Sequence, residues 1–137
     1  NGRTVSQSTL AWWKEQQKYT QQLMLENQLQ TPQALSNLVI ELEGLQVKLG
    51  ESNIAVWGNS PSFDLIILKS LLEQYGIPVP WKYWQERDLR TYGAMVGVSF
   101  NEWKQQQENS FVAHCAKEDA MAELKYLFTY LPSSAGE

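Results

Sequence analysis

The chain has one cysteine, Cys115, and one histidine, His114, among its 137 residues. A lone cysteine excludes an intramolecular disulfide and leaves a thiolate zinc site without its ligands, so a reducing, cytoplasmic setting is expected. With no second histidine to activate it, Cys115 is read as a small buried residue and not as a nucleophile. No apolar run approaches the ~20 residues of a membrane helix, and the polar N-terminus lacks the shape of a signal peptide. Positive charge is also scarce: 11 Lys and Arg stand against 15 Asp and Glu, giving a net charge of -4 and a pI near 5.0. No global basic field therefore gathers nucleic acid, which counts against a general coat protein for it. What is present is apolar, with 43% hydrophobic and 12% aromatic residues, enough at this length for one globular domain with a useful core. No internal repeat and no second domain are visible.

The chain is organised around residues 53–72, NIAVWGNSPSFDLIILKSLL. The apolar run Ile54-Ala55-Val56-Trp57 stops at Gly58-Asn59, as a buried strand does. Ser60-Pro61 has the form of an N-cap followed by proline at the first helical position, and Leu65, Ile66, Leu68, Leu71 and Leu72 recur at helical spacing. The turn between strand and helix falls at the carboxyl end of the strand, where open α/β sheets place their ligands, and Asp64 lies beside it in the first helical turn. A plain account competes: an aspartate in the first turn complements the helix dipole.

A second signal shifts the balance. Ala113-His114-Cys115-Ala116-Lys117-Glu118-Asp119-Ala120 opens another helix and sets His114 five residues before Asp119. On a continuous helix this spacing turns through about 500° and leaves the side chains about 140° apart, so they converge only if His114 lies in the preceding loop. By itself His114 is equally a capping or core histidine.

These residues carry a resemblance. Gly58-Asn59-Ser60-Pro61-Ser62-Phe63-Asp64 resembles the second acidic motif of the DEDD 3'-5' exonucleases, and His114 with Asp119 resembles the His-x4-Asp third motif of the DEDDh branch. Three further stretches narrow the match: Thr9-Leu10-Ala11-Trp12-Trp13 with Gln16, Gly76-Ile77-Pro78-Val79-Pro80-Trp81-Lys82-Tyr83, and Arg87-Asp88-Leu89-Arg90-Thr91. Together they are similar to the ribonuclease-T-like exonucleases of phage, prophage and mycobacterial origin, known as 3'-5' exoribonucleases, over roughly Thr4 to Tyr130. That family begins with a strand carrying Asp-x-Glu and two more strands before its Trp-Trp helix. Here that helix starts almost at residue 1, and no Asp-x-Glu occurs on a leading apolar strand. The expected architecture is an α/β, ribonuclease-H-like exonuclease fold in one partial domain over 1–137, its N-terminal strands missing from this chain.

Within that frame the remaining elements read as follows. Residues 1–8 form a polar entry with Ser8 as N-cap, and a glutamine-rich helix runs from Thr9 to about Met24. Trp12 and Trp13 point in different directions on it and are read as packing residues, base stacking being the alternative. Thr31-Pro32 starts a second helix, with Leu35, Leu38, Val39, Leu42, Leu45 and Leu49 on one stripe that covers the sheet, ending at Gly50. Glu41 and Glu43 are its wet side. Gly76 ends the central helix and Ile77-Pro78-Val79-Pro80 cannot continue it. Trp81 to Glu86 is expected as a short strand that buries Tyr83 and Trp84, and Asp88 caps the next short helix. Arg87 and Arg90 either pair with carboxylates or meet phosphates, with structural pairing expected for one of them. Residues 93–109 form a flap or a surface loop with a short helix, and a last helix from Cys115 to Leu131 buries Ala116, Ala120, Leu124, Leu127 and Phe128.

The resemblance implies phosphodiester hydrolysis at single-stranded 3' ends of RNA or DNA with two divalent cations, Mg2+ or Mn2+. An acidic chain is no obstacle to such chemistry, since bound cations meet the phosphates. Asp64 and Asp119 are implied metal ligands, and His114, with an ordinary pKa of about 6.5, is implied to take the proton from the attacking water. Asn59 and Phe63 resemble positions lining the substrate groove. A homodimer is possible on the same grounds. With two of the family's four carboxylates absent, the 137-residue chain alone is expected to be inactive. Two readings from other classes compete: a non-catalytic nucleic-acid-binding or interaction module, and an oligomerisation domain built on the glutamine-rich helices.

Overall fold

A computed structural model describes residues 4, 6–16, 18–25, 29–60, 62–107 and 115–131. In chain order these form α1 (Gln7–Glu15), α2 (Lys18–Leu25), α3 (Thr31–Leu49), β1 (Val56–Gly58), α4 (Asp64–Gln74), β2 (Glu86–Asp88), α5 (Leu89–Val96), α6 (Phe100–Gln106) and α7 (Ala116–Tyr130), with single 3-10 turns at Glu51–Asn53 and Tyr83–Gln85. The architecture is thus a helix-rich α/β arrangement around a small parallel sheet.

The sheet is short and its register defines the rest. Val56 pairs with Glu86, Trp57 with Arg87 and Gly58 with Asp88, so β1 and β2 run parallel with α4 as the connection between them. Successive strand residues point to opposite faces. Val56 accordingly packs into a cluster of Leu35, Leu72 and Trp81, joined by Val39, Leu42 and Leu68 from α3 and α4. Trp57 packs the other way, against Leu89, Phe100, Trp103, Ala122, Tyr126 and Leu127 of α5, α6 and α7. Two small cores on either side of two strands therefore form three layers.

Local signals explain several boundaries. After α4, Gly76 takes φ +64, its amide donates to the Glu73 carbonyl, and the Ile77 amide donates to the Leu72 carbonyl. This is the Schellman arrangement, and it turns Ile77 back into the core that holds Leu72. Asp88 caps α5 as expected, accepting from the Arg90 amide at 3.0 Å and from the Thr91 hydroxyl at 2.6 Å. α3 follows its expected span and ends at Gly50 with φ +87, although Gln30 and not Thr31 is its N-cap.

Other expectations are corrected. The single glutamine-rich helix is two, because Gln16 is extended (φ -69, ψ 159) and closes α1, and Ser6 rather than Ser8 supplies the cap through a bond from the Thr9 amide. Trp12 is exposed and Trp13 half-buried, so neither is core; their rings meet edge to face, centroids 4.9 Å apart. Leu38, Leu45 and Leu49 of the α3 stripe are exposed and only Leu35 is fully buried, so this helix covers the sheet with part of its stripe. The central helix starts at Asp64 with Phe63 at its N-cap, not at Ser60; the Ser60 carbonyl instead accepts from both the Phe63 and Asp64 amides, and Pro61 lies outside the described residues.

Trp81 to Glu86 is not the expected strand but contains a 3-10 turn at Tyr83–Gln85. Tyr83 and Trp84 are exposed at 81% and 58%, and the strand begins only at Glu86. Polar anchoring decides this. Gln85 is buried: its amide donates to the Glu51 carbonyl at 2.7 Å and the Ile54 carbonyl at 3.1 Å while its oxygen accepts from the Lys82 amide. A buried amide with its bonds made fixes the local geometry more firmly than two aromatic side chains that prefer cover. On α7 the buried residues are Ala122, Tyr126 and Leu127, whereas Ala116, Ala120, Leu124 and Phe128 are exposed, so the helix is rotated relative to the expected stripe. Tyr126 is the reason, as its ring is the hub of the aromatic core. No helix among the described residues is long and apolar enough to cross a membrane.

One ion pair links β2 to α4. Lys69 donates to both Glu86 oxygens, at 2.8 and 3.1 Å, and the Trp81 indole donates to the same carboxylate at 3.0 Å. Burial pushes the Glu86 carboxyl up, but the hydrogen bonds from Lys69 and Trp81 and the Lys69 charge outweigh it and hold it below the ordinary 4.5. In acid the unfolded chain therefore binds this proton before the native one does. The stabilisation is present in full above pH 4.5 and is lost as pH falls through the lowered native value. Lys69→Met should flatten that acid limb of the stability curve, as urea midpoints measured from neutral pH down through the carboxylate range would show; an unchanged limb would mean that the pair contributes nothing.

Candidate active site

The carboxyl ends of both strands open on one side of the molecule, as in other open parallel sheets. Gly58 ends β1, and a Cβ placed on it would lie 3.4 Å from the Cβ of Asp64, so the first acid of α4 sits directly against the strand end. The turn between them is closed by the Ser60 amide, which donates to Asp64 Oδ2 at 2.9 Å. Phe63, one residue earlier, is 64% exposed beside it.

From the other side α7 brings Asp119 and Glu123, one helical turn apart on one face. Asp119 is bonded through Oδ1 to Lys104 of α6 at 2.8 Å, and both side chains are about one-third exposed (34% and 29%). Glu123 joins the two helices electrostatically. Burial pushes its carboxyl above 4.5; the negative charges of Asp64 and Asp119 push the same way, while a hydrogen bond from Asn59 and the Lys104 ammonium pull back. Asn59 is thus bonded to Glu123, and Asp64 and Asp119 are near enough for their charges to act on it. His114 lies outside the described residues.

Glu123 and Lys104 were not singled out by the sequence. The signal for Glu123 is the i, i+4 spacing from Asp119 on a helix whose intervening residues are small or apolar. Lys104 has no such signal, since its approach to Asp119 depends on how α6 packs on α7. Cys115, half-buried at the N-cap of α7, makes no cap bond.

The donor chemistry suits a hard divalent cation, which prefers carboxylate oxygens; Glu123 is raised first by burial and then by the charges of Asp64 and Asp119. Among the described residues, however, no three His, Cys, Asp or Glu side chains converge closely enough to hold an ion. The two arginines of the β2–α5 segment differ. Arg87 spends its guanidinium on the Trp84 and Glu86 carbonyls, a structural pairing with backbone and not with a carboxylate. Arg90 faces a cleft of about 390 Å³ that it shares with Asn59, Ser99, Phe100 and Asn101.

A parallel sheet with acids beside its carboxyl end, set in a helix-rich α/β chain, places a candidate site where open α/β sheets bind their ligands. The model of the 3'-5' exoribonuclease Rv2179c-like domain matches residues 1–131, and the chain belongs to that family. Nuclease function, and nucleic acid as the substrate, follow at the level of the family. No match was found among curated proteins or among solved structures.

Proposed function

We propose that the protein is a metal-dependent DEDDh 3'-5' exonuclease with a ribonuclease-H-like fold, acting in the cytoplasm on single-stranded 3' ends, of RNA in the first place and of DNA as the alternative. The observation that supports this reading is Asp64 set against the carboxyl end of β1, with its charge and that of Asp119 both acting on Glu123, in a chain of the exoribonuclease family. Residues 1–137 are one exonuclease domain in this reading, and its Asp-x-Glu motif is not among them. Contact with a second copy, as a homodimer, is compatible with it.

Asp64 and Asp119 would hold the divalent cations, Mg2+ or Mn2+, through carboxylate oxygens. Two such ions, when bound, would activate the attacking water and neutralise the leaving oxygen. The remaining work falls to the chain itself. The Ser60 amide fixes the Asp64 carboxylate, leaving one oxygen to face the ligand. Lys104 holds the Asp119 carboxylate in place through its hydrogen bond to Oδ1. Asn59 holds Glu123 and lines the groove, and exposed Phe63 offers a face to the terminal base. His114 accepts the proton of the attacking water, a role suited to an imidazole at neutral pH.

The test uses single-stranded RNA and DNA oligonucleotides labelled at either end, with Mg2+, with Mn2+ and with EDTA. Stepwise shortening from the 3' end that EDTA abolishes is the expected result. Cleavage that persists in EDTA, or that starts at the 5' end, would overturn the mechanism, and binding without cleavage by the full protein would establish the non-catalytic module instead.

A further inference from the structure

We propose that the cleft between α5 and α6 is a phosphate subsite, in which Arg90 binds a backbone phosphate of the substrate strand one or two nucleotides to the 5' side of the bond that is cut. The inference rests on the exonuclease reading and adds to it a residue that positions the strand. Three observations carry it. The cleft, about 390 Å³, is lined by Asn59, Arg90, Ser99, Phe100 and Asn101, four of which offer polar groups. Asn59 belongs both to this cleft and, through its bond to Glu123, to the acid cluster, so the cleft opens directly beside that cluster.

The third observation is the state of the guanidinium. The Arg87 guanidinium donates to the Trp84 and Glu86 carbonyls, whereas the Arg90 guanidinium makes no hydrogen bond or ion pair among the described residues, and the Asp88 carboxylate near it is already engaged by the Thr91 hydroxyl and the Arg90 amide. Arg90 is exposed and keeps its planar fork of donors for a ligand. A strand entering this site meets Asp64, Asp119 and Glu123 in a protein of net charge -4, and its phosphates are repelled by all of them. A cation placed one step back from the acids offsets that repulsion at a fixed point and sets the register of the 3' end. Bidentate pairing with a phosphate is what an arginine in that position does best.

A chemical double-mutant cycle tests this. Arg90→Gln and Arg90→Lys variants of the full protein are compared with wild type by fluorescence anisotropy, using short single-stranded RNA and DNA in Ca2+. The strands carry one uncharged methylphosphonate at a time, walked from the 3' end. Arg90→Gln should weaken binding of the all-phosphate strand roughly tenfold, raise KM with kcat retained, and lower the slope of log K against log salt by about 0.7, the value of one single-strand phosphate contact. At one phosphate position the methylphosphonate should cost wild type the same factor and cost Arg90→Gln nothing further, with Arg90→Lys in between. Equal losses for RNA and DNA mark a pure backbone contact; a loss confined to RNA would mark a 2'-hydroxyl contact and overturn the assignment. Additive losses at every position would overturn the subsite alone, whereas failure of wild type to bind or cut any strand would overturn the exonuclease reading and the subsite with it.

Discussion

In the full protein, Asp119→Asn should reduce nuclease activity by about 10²- to 10³-fold while leaving the fold intact. The two halves of that statement rest on different magnitudes. A carboxylate that holds a catalytic cation supports several kcal/mol of transition-state charge stabilisation, and each ~1.4 kcal/mol lost is tenfold in rate. The structural role of Asp119 is smaller. Its bond to Lys104 is one-third exposed, the class of ion pair that contributes about 0–1 kcal/mol, and its place in the first turn of α7 adds a dipole interaction of similar size. Against these stands the relief of its repulsion with Glu123. The melting temperature should therefore move by only a few degrees, as expected when ~1 kcal/mol is at stake in a domain of this size. Single-turnover release of the 3'-terminal nucleotide, measured beside a thermal melt, separates the two. Wild-type activity in Asp119→Asn would remove this residue from the site.

The second large effect concerns the aromatic core. Tyr126 is fully buried, with the rings of Tyr92, Phe100, Trp103 and Tyr130 at centroid distances of 5.9, 5.6, 5.6 and 5.4 Å, and its hydroxyl donates to the Val98 carbonyl. Replacing it by alanine should cost about 3–5 kcal/mol, the range for large aromatic residues in cores. Gly93 belongs to the same contact: a Cβ there would stand 2.8 Å from the Tyr126 hydroxyl oxygen, 3.2 Å from the Val98 carbonyl oxygen and 3.3 Å from the Ser99 Cα. Two of those three are backbone atoms that cannot swing away. Gly93→Ala should thus destabilise by roughly 1–3 kcal/mol through overpacking, which exceeds the ~1 kcal/mol that alanine gains over glycine inside a helix. Tyr126→Phe removes the nearest of the three atoms, so the alanine should cost less in that background. Denaturant midpoints for the two single variants and the double variant check this, and strictly additive values would show that the contact does not set the packing of α5 on α7.

How much of this was legible beforehand depended on whether a signal was local. Asp64 at the start of a helix after an apolar strand, the cap at Asp88 and the stop at Gly76 are written in neighbouring residues, and the structure has them where those residues put them. Tyr83 and Trp84 misled because aromatic content reads as burial. What fixes that segment is Gln85, whose partners Glu51 and Ile54 lie more than 30 positions away. The face of α7 misled for a related reason: alanines and leucines at 116, 120 and 124 make an acceptable stripe, but Tyr126 and its ring partners on α5 and α6 select another. In the candidate site, Asp64, Asp119 and Asn59 were singled out by a motif resemblance, whereas Lys104 reaches Asp119 only through the packing of α6 on α7. Arg90 was left open because nothing in its own segment distinguishes it from Arg87; only the fold bonds one to backbone carbonyls and sets the other in a cleft.

The most direct test of the central claim, that Asp64 and Asp119 share a divalent-cation site, is a Mn2+ titration followed by the electron paramagnetic resonance of the free ion. Wild type, Asp64→Asn, Asp119→Asn and Lys104→Met would be titrated under the same conditions, without nucleic acid. The expected result is saturable binding to wild type, at least tenfold weaker binding to either asparagine variant, and no weakening in Lys104→Met, since on this account a cation would displace the ammonium that Asp119 now binds. Equal Mn2+ binding by wild type and both asparagine variants would contradict the account.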